Sequence, residues 1–130
     1  MTVEESIKLL ALIKLAYPNS YKDIDKDTQL VTVKMWQCAF DTLPLAIMEM
    51  ALDHFVKKSK FPPTIADIMD ELKDLHYEAV QNVLITNNEE VRKKCLRIMQ
   101  YTEHFKDNNS QRISFNTPKQ LNNGTQSLIG

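Results

Sequence analysis

The stretch Phe61-Pro62-Pro63-Thr64-Ile65-Ala66-Asp67-Ile68 ends one helix and begins another. The two adjacent prolines lack an amide hydrogen, so a helix cannot continue through them. Each proline also restricts the residue before it to extended geometry, which keeps Phe61 outside any helix. Thr64 stands at an N-cap position, and Asp67 three residues later can complete a capping box. The stretch therefore predicts a rigid corner between two helices.

Apolar residues recur at helical spacing on both sides of this corner. After it, one stripe runs over about five turns of a fourth helix and consists of Ile65, Ile68, Leu72, Leu75, Ala79 and Val83. Before it, a third helix is expected to begin at Pro44 and end near Lys58. The residues of this helix that face the core are Ile47, Met48, Ala51, Leu52 and Phe55. Asn88 can cap a fifth helix that carries Val91, Cys95, Ile98, Thr102 and Phe105.

The N-terminal third predicts two more helices. Thr2 and Glu5 have capping-box spacing, and the helix that follows is expected to span residues 3–16. Its apolar stripe comprises Val3, Ile7, Leu10 and Ile13, widened by Leu9, Leu12 and Ala16. Residues 27–40 show helical spacing at Leu30, Val33, Trp36 and Phe40, but strand-like alternation at Val31, Val33 and Met35. We prefer a helix, because a single strand would have no partner, and we assign Trp36 and Phe40 to the core.

The composition indicates an all-α fold. Hydrophobic residues make up 43% of the chain, enough for a core, whereas only Gly124 and Gly130 supply glycine for hairpins or phosphate loops. We expect a small bundle of four to five helices with a disordered C-terminal tail. Residues 1–105 form the helical domain, divided into a three-helix core at 1–60 and a helical hairpin or arm at 61–105. Residues 106–130 form the flexible tail.

Several function classes are disfavoured. A net charge of −1 lacks the basic excess of a nucleic-acid coat. The two cysteines, Cys38 and Cys95, make no disulfide framework and are expected to be buried. No apolar run approaches the roughly 20 residues of a membrane span. The histidines have no metal-ligand spacing, and no catalytic constellation is evident. We expect a soluble intracellular protein without enzyme activity or cofactors.

Two groups of residues are candidates for a partner surface. Phe61 is the aromatic residue expected to be partly exposed, because the corner holds it outside any helix. Acidic residues are expected opposite the apolar stripe of the fourth helix: Asp67, Asp70, Glu71, Asp74 and Glu78. They form either an ordinary solvated face or a negative strip that docks on a basic surface.

A basic cluster on the fifth helix leaves an alternative open, a small helical DNA-binding or transcription-regulating protein. The cluster comprises Arg92, Lys93, Lys94 and Arg97. Glu89 and Glu90 precede two of these lysines by four residues, which is the favourable orientation for ion pairing within a helix. We therefore expect self-neutralisation, and direct nucleic-acid binding is disfavoured.

The C-terminal segment is polar but carries scattered apolar residues, namely Ile113, Phe115, Leu121, Leu128 and Ile129. Such a segment cannot bury enough apolar surface to offset the entropy of ordering itself. It is either a disordered end or a segment that folds onto a partner, with the apolar residues as anchors.

Four stretches also stand in a recognisable order along roughly the first half of the chain. They are Glu4-Glu5-Ser6-Ile7-Lys8-Leu9-Leu10, Ile13-Lys14-Leu15-Ala16-Tyr17-Pro18, Trp36 and the corner at 61–68. Together they resemble the bacteriophage replicative-helicase loader and inhibitor family.

The resemblance implies a non-enzymatic protein of phage DNA replication in the cytoplasm of the bacterial host. It implies binding to a hexameric DnaB-type helicase, restraint of the helicase's ATPase and unwinding activity, and delivery of the helicase to an origin-bound initiator. In this family the C-terminal segment is associated with helicase contact, which fits the apolar residues of the tail. We expect the protein to be monomeric when free.

Overall fold

The computed structural model describes residues 1–106, which form five helices and a short 3₁₀ turn. The elements are α1 (Val3–Ala16), α2 (Lys26–Ala39), α3 (Leu45–Val56), α4 (Ile65–Ile85), α5 (Glu89–Thr102) and the 3₁₀ turn Glu103–Phe105. No strand occurs within this range. The all-α prediction is confirmed, including the helical assignment of α2. The predicted tail lies outside the described residues, apart from Lys106.

Both predicted capping boxes are present. The Thr2 hydroxyl accepts the Glu5 N–H at 3.1 Å, and the Glu5 carboxylate accepts the Thr2 N–H at 2.8 Å. At the corner, the Thr64 hydroxyl accepts from Asp67 N–H at 3.1 Å, and Asp67 accepts from Thr64 N–H at 2.9 Å. Each box satisfies two amides at a helix start that would otherwise lack a partner.

The other helix starts use different caps. Asp25, an unpredicted cap, accepts the Thr28 N–H at 2.7 Å, and hydrogen bonding to Thr28 lowers the pKa of Asp25. Asn88 accepts two amides at the start of α5, as expected. Pro44 was predicted to lie in the first turn of α3. Its extended backbone instead makes it the N-cap, and the helix begins at the next residue.

One core joins all five helices. The apolar residues that α3 and α4 were predicted to bury are buried or partly buried. Phe40, fully buried at the end of α2, stacks near Trp36 and Phe105 with ring-centroid distances of 5.8 Å and 6.2 Å. The core assignments of Trp36 and Phe40 are confirmed. Since Phe105 follows α5, this contact holds the end of the chain's described part against α2.

α1 and α2 run antiparallel. The Met1 amino group donates to the carbonyls of Phe40, Asp41 and Leu43 at 3.2, 2.9 and 2.7 Å, so α1 begins where α2 ends. The Gln37 amide also donates to the Met1 carbonyl at 3.2 Å. Consequently the end of α1 lies beside the start of α2.

α4 and α5 form an antiparallel hairpin. The His76 Nδ1 atom lies 3.1 Å from the Thr102 hydroxyl, which itself donates to the Ile98 carbonyl at 2.7 Å. Because that hydroxyl proton is committed, the His76 Nδ1–H donates to the Thr102 oxygen. The Tyr77 hydroxyl donates to the Lys106 carbonyl at 3.0 Å. Buried His76 therefore has a structural partner within the hairpin.

Two predictions about α1 and α2 are wrong. Val3 and Ile7 belong to the apolar stripe predicted for α1 but are about half exposed. Leu30 of α2, which was not assigned to the core, is exposed as well. Cys38 is exposed, whereas Cys95 is buried as expected. The reason is shared, because α2 packs chiefly on α1 and among its own residues buries only Trp36. Among the described residues, α1 is the main helical neighbour of α2.

Candidate protein-interaction surface

The corner presents Phe61 to solvent. The residue is 76% exposed, more than the partial exposure that the sequence predicts. The Phe61 N–H donates to the Ser59 hydroxyl at 3.2 Å, and that hydroxyl donates back to the Phe61 carbonyl at 3.0 Å. Pro63 is buried two residues later and fixes the chain on the other side. The aromatic ring is thus exposed on a backbone that is held at both ends.

The acidic residues of α4 do not all lie on one exposed face. Asp70, Asp74 and Glu78 are exposed, and Asp67 is partly buried by its capping role. Glu71 is only 4% exposed, so its placement on the solvated face was wrong. The cause is that α4 packs on both α3 and α5, which makes its buried face wider than the apolar stripe.

Glu71 forms an ion pair across the corner. Its Oε2 atom lies 2.7 Å from the Lys58 Nζ atom, and this hydrogen bond raises the pKa of Lys58 above its ordinary value. The other carboxylate oxygen, Oε1, is buried without a hydrogen-bond partner among the described residues. Lys58 follows α3, so the pair ties the end of α3 to the second turn of α4. A helical pattern within one element cannot reveal such a partner.

The basic residues of α5 are not neutralised as expected. Over the described range, Glu89 and Glu90 form no ion pair with Lys93 or Lys94. Exposed pairs of this kind gain little from contact, so their side chains remain in solvent. Arg92 instead donates to the Thr86 carbonyl at 3.0 Å and closes the turn between α4 and α5.

Sequence reasoning missed an apolar groove between α1 and α2. The α1–α2 groove encloses about 500 Å³ and is bounded by Ile7–Lys14, Lys26–Val33 and two residues of the connecting loop, Tyr21 and Ile24. Mixed helical and strand-like spacing in α2 was the available signal. It placed apolar residues on more than one side of the helix, and only one side is covered.

The connecting loop has an unusual backbone. Tyr21 and Asp23 adopt positive φ values of 58° and 64°. Non-glycine residues in this region typically cost about 1–2 kcal/mol each, and such conformations persist where the surroundings hold them. Burial raises the pKa of Tyr21, and a hydrogen bond with Trp36 offsets part of that rise. The Tyr21 side chain lines the groove and also packs against the core.

Metal-binding clusters and membrane-spanning helices are absent from the described part of the chain. Within residues 1–106, no group of three or more His, Cys, Asp or Glu residues could hold a metal ion. None of the helices described is long and apolar enough to cross a membrane. The predicted tail anchors lie outside the described residues, namely Ile113, Phe115, Leu121, Leu128 and Ile129.

Comparison with known proteins identifies the family. No curated protein and no solved structure matches the chain. The family model for the N-terminal domain of the gene 39 protein matches residues 1–69, which include α1, α2, α3, the corner and the first turn of α4. This range is more than half of the chain and contains every stretch on which the sequence resemblance rests. The chain belongs to the gene 39 protein family, the phage proteins that load and inhibit replicative helicases.

Proposed function

We propose that this chain binds a hexameric DnaB-type replicative helicase, restrains its ATPase and unwinding activity, and delivers it to an origin-bound phage initiator. It acts without catalysing a reaction, as a monomer when free, in the cytoplasm of the bacterial host. The observation that carries this proposal is the family match over residues 1–69. The exposed Phe61 on a fixed corner supports it, because protein-binding modules present such anchors.

In this proposal the tail and the helical domain make separate contacts with partner proteins. The tail captures the helicase through Ile113, Phe115, Leu121, Leu128 and Ile129, an assignment that rests on their spacing in the sequence. The helical domain contacts the initiator or a second helicase surface through Phe61, Asp67, Asp70 and Asp74. Glu71 is left out of this surface, because it is buried against Lys58.

The DNA-binding alternative is not favoured by the family match. If the basic residues of α5 bound DNA, affinity would fall steeply with salt. An absence of any DNA mobility shift at low salt would dismiss this alternative.

Deleting residues 107–130 is expected to abolish helicase capture. The shortened chain ends at Lys106, so that it keeps the Lys106 carbonyl to which the Tyr77 hydroxyl donates. Affinity should fall at least about 100-fold, since several apolar anchors are removed together. Pull-down on immobilised helicase, with and without ATP, measures binding, and ATP turnover measures restraint.

Point variants of the full-length chain test whether the apolar residues of the tail, and not its length, are needed for helicase binding. Phe115→Ala with Leu121→Ala should reproduce the deletion, whereas Asn116→Ala with Asn122→Ala should bind like the wild type. Undiminished capture by the deleted chain would remove the tail from the mechanism.

Replacing Phe61 by Ala should weaken binding of the partner of the helical domain about 5- to 30-fold, corresponding to about 1–2 kcal/mol. The ring is exposed, so far-UV circular dichroism should remain unchanged. Binding to helicase and to initiator is measured separately by interferometry. Unaltered affinity for both partners would exclude Phe61 from the surface, and a loss of helicity would place it in the core.

A further inference from the structure

The α1–α2 groove is an uncovered apolar surface of the folded domain. Apolar side chains from both helices and the loop line it, including Ile7, Leu10, Tyr21, Ile24, Leu30 and Val33. Leu30 is 60% exposed, and Ile7 is about half exposed. An exposed apolar patch bordered by polar residues can mark a site where a protein binds a partner. A volume of about 500 Å³ lies within the range of protein binding pockets.

The groove has the dimensions of a helix-binding site. Its α1 wall extends from Ile7 to Lys14, which is about 10 Å along the helix axis at 1.5 Å per residue. That distance matches two turns of a docked helix. Such a helix would present apolar anchors at positions i, i+3 or i+4, and i+7.

The charges of the groove specify the polar part of its occupant. The charged residues that line it are both basic, Lys14 and Lys26. Each is exposed, and neither takes part in an ion pair among the described residues. Carboxylates beside the apolar anchors would complement them, and a basic segment would be repelled.

The chain's own tail does not have this chemistry. Residues 107–130 contain one acidic residue, Asp107, and two basic residues, Arg112 and Lys119. Their net charge has the same sign as the two groove lysines. The charge pattern therefore favours a separate protein over the tail.

We propose that the α1–α2 groove binds an acidic amphipathic helix of a partner protein, with the helix's apolar face between α1 and α2 and its carboxylates beside Lys14 and Lys26. This inference is independent of helicase capture by the tail, so either can fail alone.

A peptide selection on the full-length chain tests the proposal. The probe is a displayed library of random peptides of roughly 14 residues, about four helical turns. Enriched sequences should share apolar residues at helical spacing together with Asp or Glu. Leu30→Ser should reduce the affinity of the synthesised peptides at least 10-fold, whereas Leu84→Ser, at a 78% exposed site on the α4–α5 hairpin, should have no effect.

Charge reversal gives a sharper outcome. Lys14→Glu with Lys26→Glu should lower affinity for the selected peptides about 10-fold and favour copies in which Lys replaces each acidic residue. Binding is measured by anisotropy of the labelled peptide and by fluorescence of Trp36, the single tryptophan, which lies next to the groove residue Tyr21.

Three results would overturn the proposal. The first is enrichment of no sequences, or of sequences that bind the Leu30→Ser chain equally well. The second is a rise in peptide affinity on deleting residues 107–130, which would make the tail the occupant. The third is a dimer in sedimentation that Leu30→Ser converts to a monomer, which would assign the groove to a second copy of this chain.

Discussion

Replacing Phe40 by Ala is expected to lower the free energy of unfolding by about 3–5 kcal/mol. Phe40 is fully buried, and its ring lies between Trp36 and Phe105. The substitution leaves a cavity at the contact between α2 and the end of the hairpin. For a domain whose whole stability is typically about 5–15 kcal/mol, such a loss populates unfolded chains noticeably.

Phe61 provides the matched control for this prediction. Phe61→Ala makes the same chemical change at an exposed site and should alter stability by less than about 0.5 kcal/mol. Urea unfolding followed by circular dichroism and Trp36 fluorescence measures both variants. A Phe40→Ala loss below about 1 kcal/mol, under the usual range for a buried Phe→Ala change, would show that the Phe40–Phe105 contact is not maintained in solution.

Replacing Lys58 by Met should destabilise the protein by about 1–3 kcal/mol, the usual cost of a buried polar group left without a partner. The variant leaves the Glu71 carboxylate buried with no hydrogen bond among the described residues, since its Oε1 atom already has none. The Lys58 side chain is 57% exposed, so water limits the loss to less than that of a fully buried pair. Equilibrium unfolding in urea measures it.

A double-mutant cycle isolates the ion pair. Lys58→Met combined with Glu71→Met should recover to within about 1 kcal/mol of the wild type, because no buried charge then remains. Lys57→Met is the matched control, since Lys57 pairs with exposed Asp53 at 3.0 Å and should cost less than about 0.5 kcal/mol. Equal losses of unfolding free energy in Lys57→Met and Lys58→Met would contradict the larger contribution expected from the Lys58–Glu71 pair.

The pH dependence of this pair has a definite sign. The hydrogen bond to Glu71 raises the pKa of Lys58 above its ordinary value of 10.5. The stabilisation from charged Lys58 is therefore complete below pH 10.5 and is lost as pH rises through the higher pKa of the folded state. The difference between wild type and Lys58→Met should shrink in that alkaline range.

Local signals in the sequence predicted most of the helical architecture. Proline positions, capping residues and apolar spacing act within a few residues of one another, so Thr2, Thr64 and Asn88 could be assigned as caps before any packing was known. The core residues of α3 and α4 followed from periodicity for the same reason. Phe61 was predicted to be partly exposed because its neighbours exclude it from a helix.

The remaining features depend on which helices meet. Glu71 is buried because α4 has two packing partners, and its contact with Lys58 joins different elements. Leu30 and Cys38 are exposed because α2 has one main partner. Helical spacing shows which residues share a face but does not show how many faces are covered. The groove and the Lys58–Glu71 ion pair both depend on how many faces of a helix are covered, so helical spacing did not predict them.

The contact between Phe40 and Phe105 has a consequence for inheritance. The family match ends at residue 69, inside α4, whereas the core extends to Phe105. After a genetic exchange between relatives at that boundary, Phe40 would pack against residues that come from another protein. Lys58 and Glu71 would likewise come from different proteins. The helical part is therefore inherited intact when it is passed on as a single segment that reaches the end of the 3₁₀ turn.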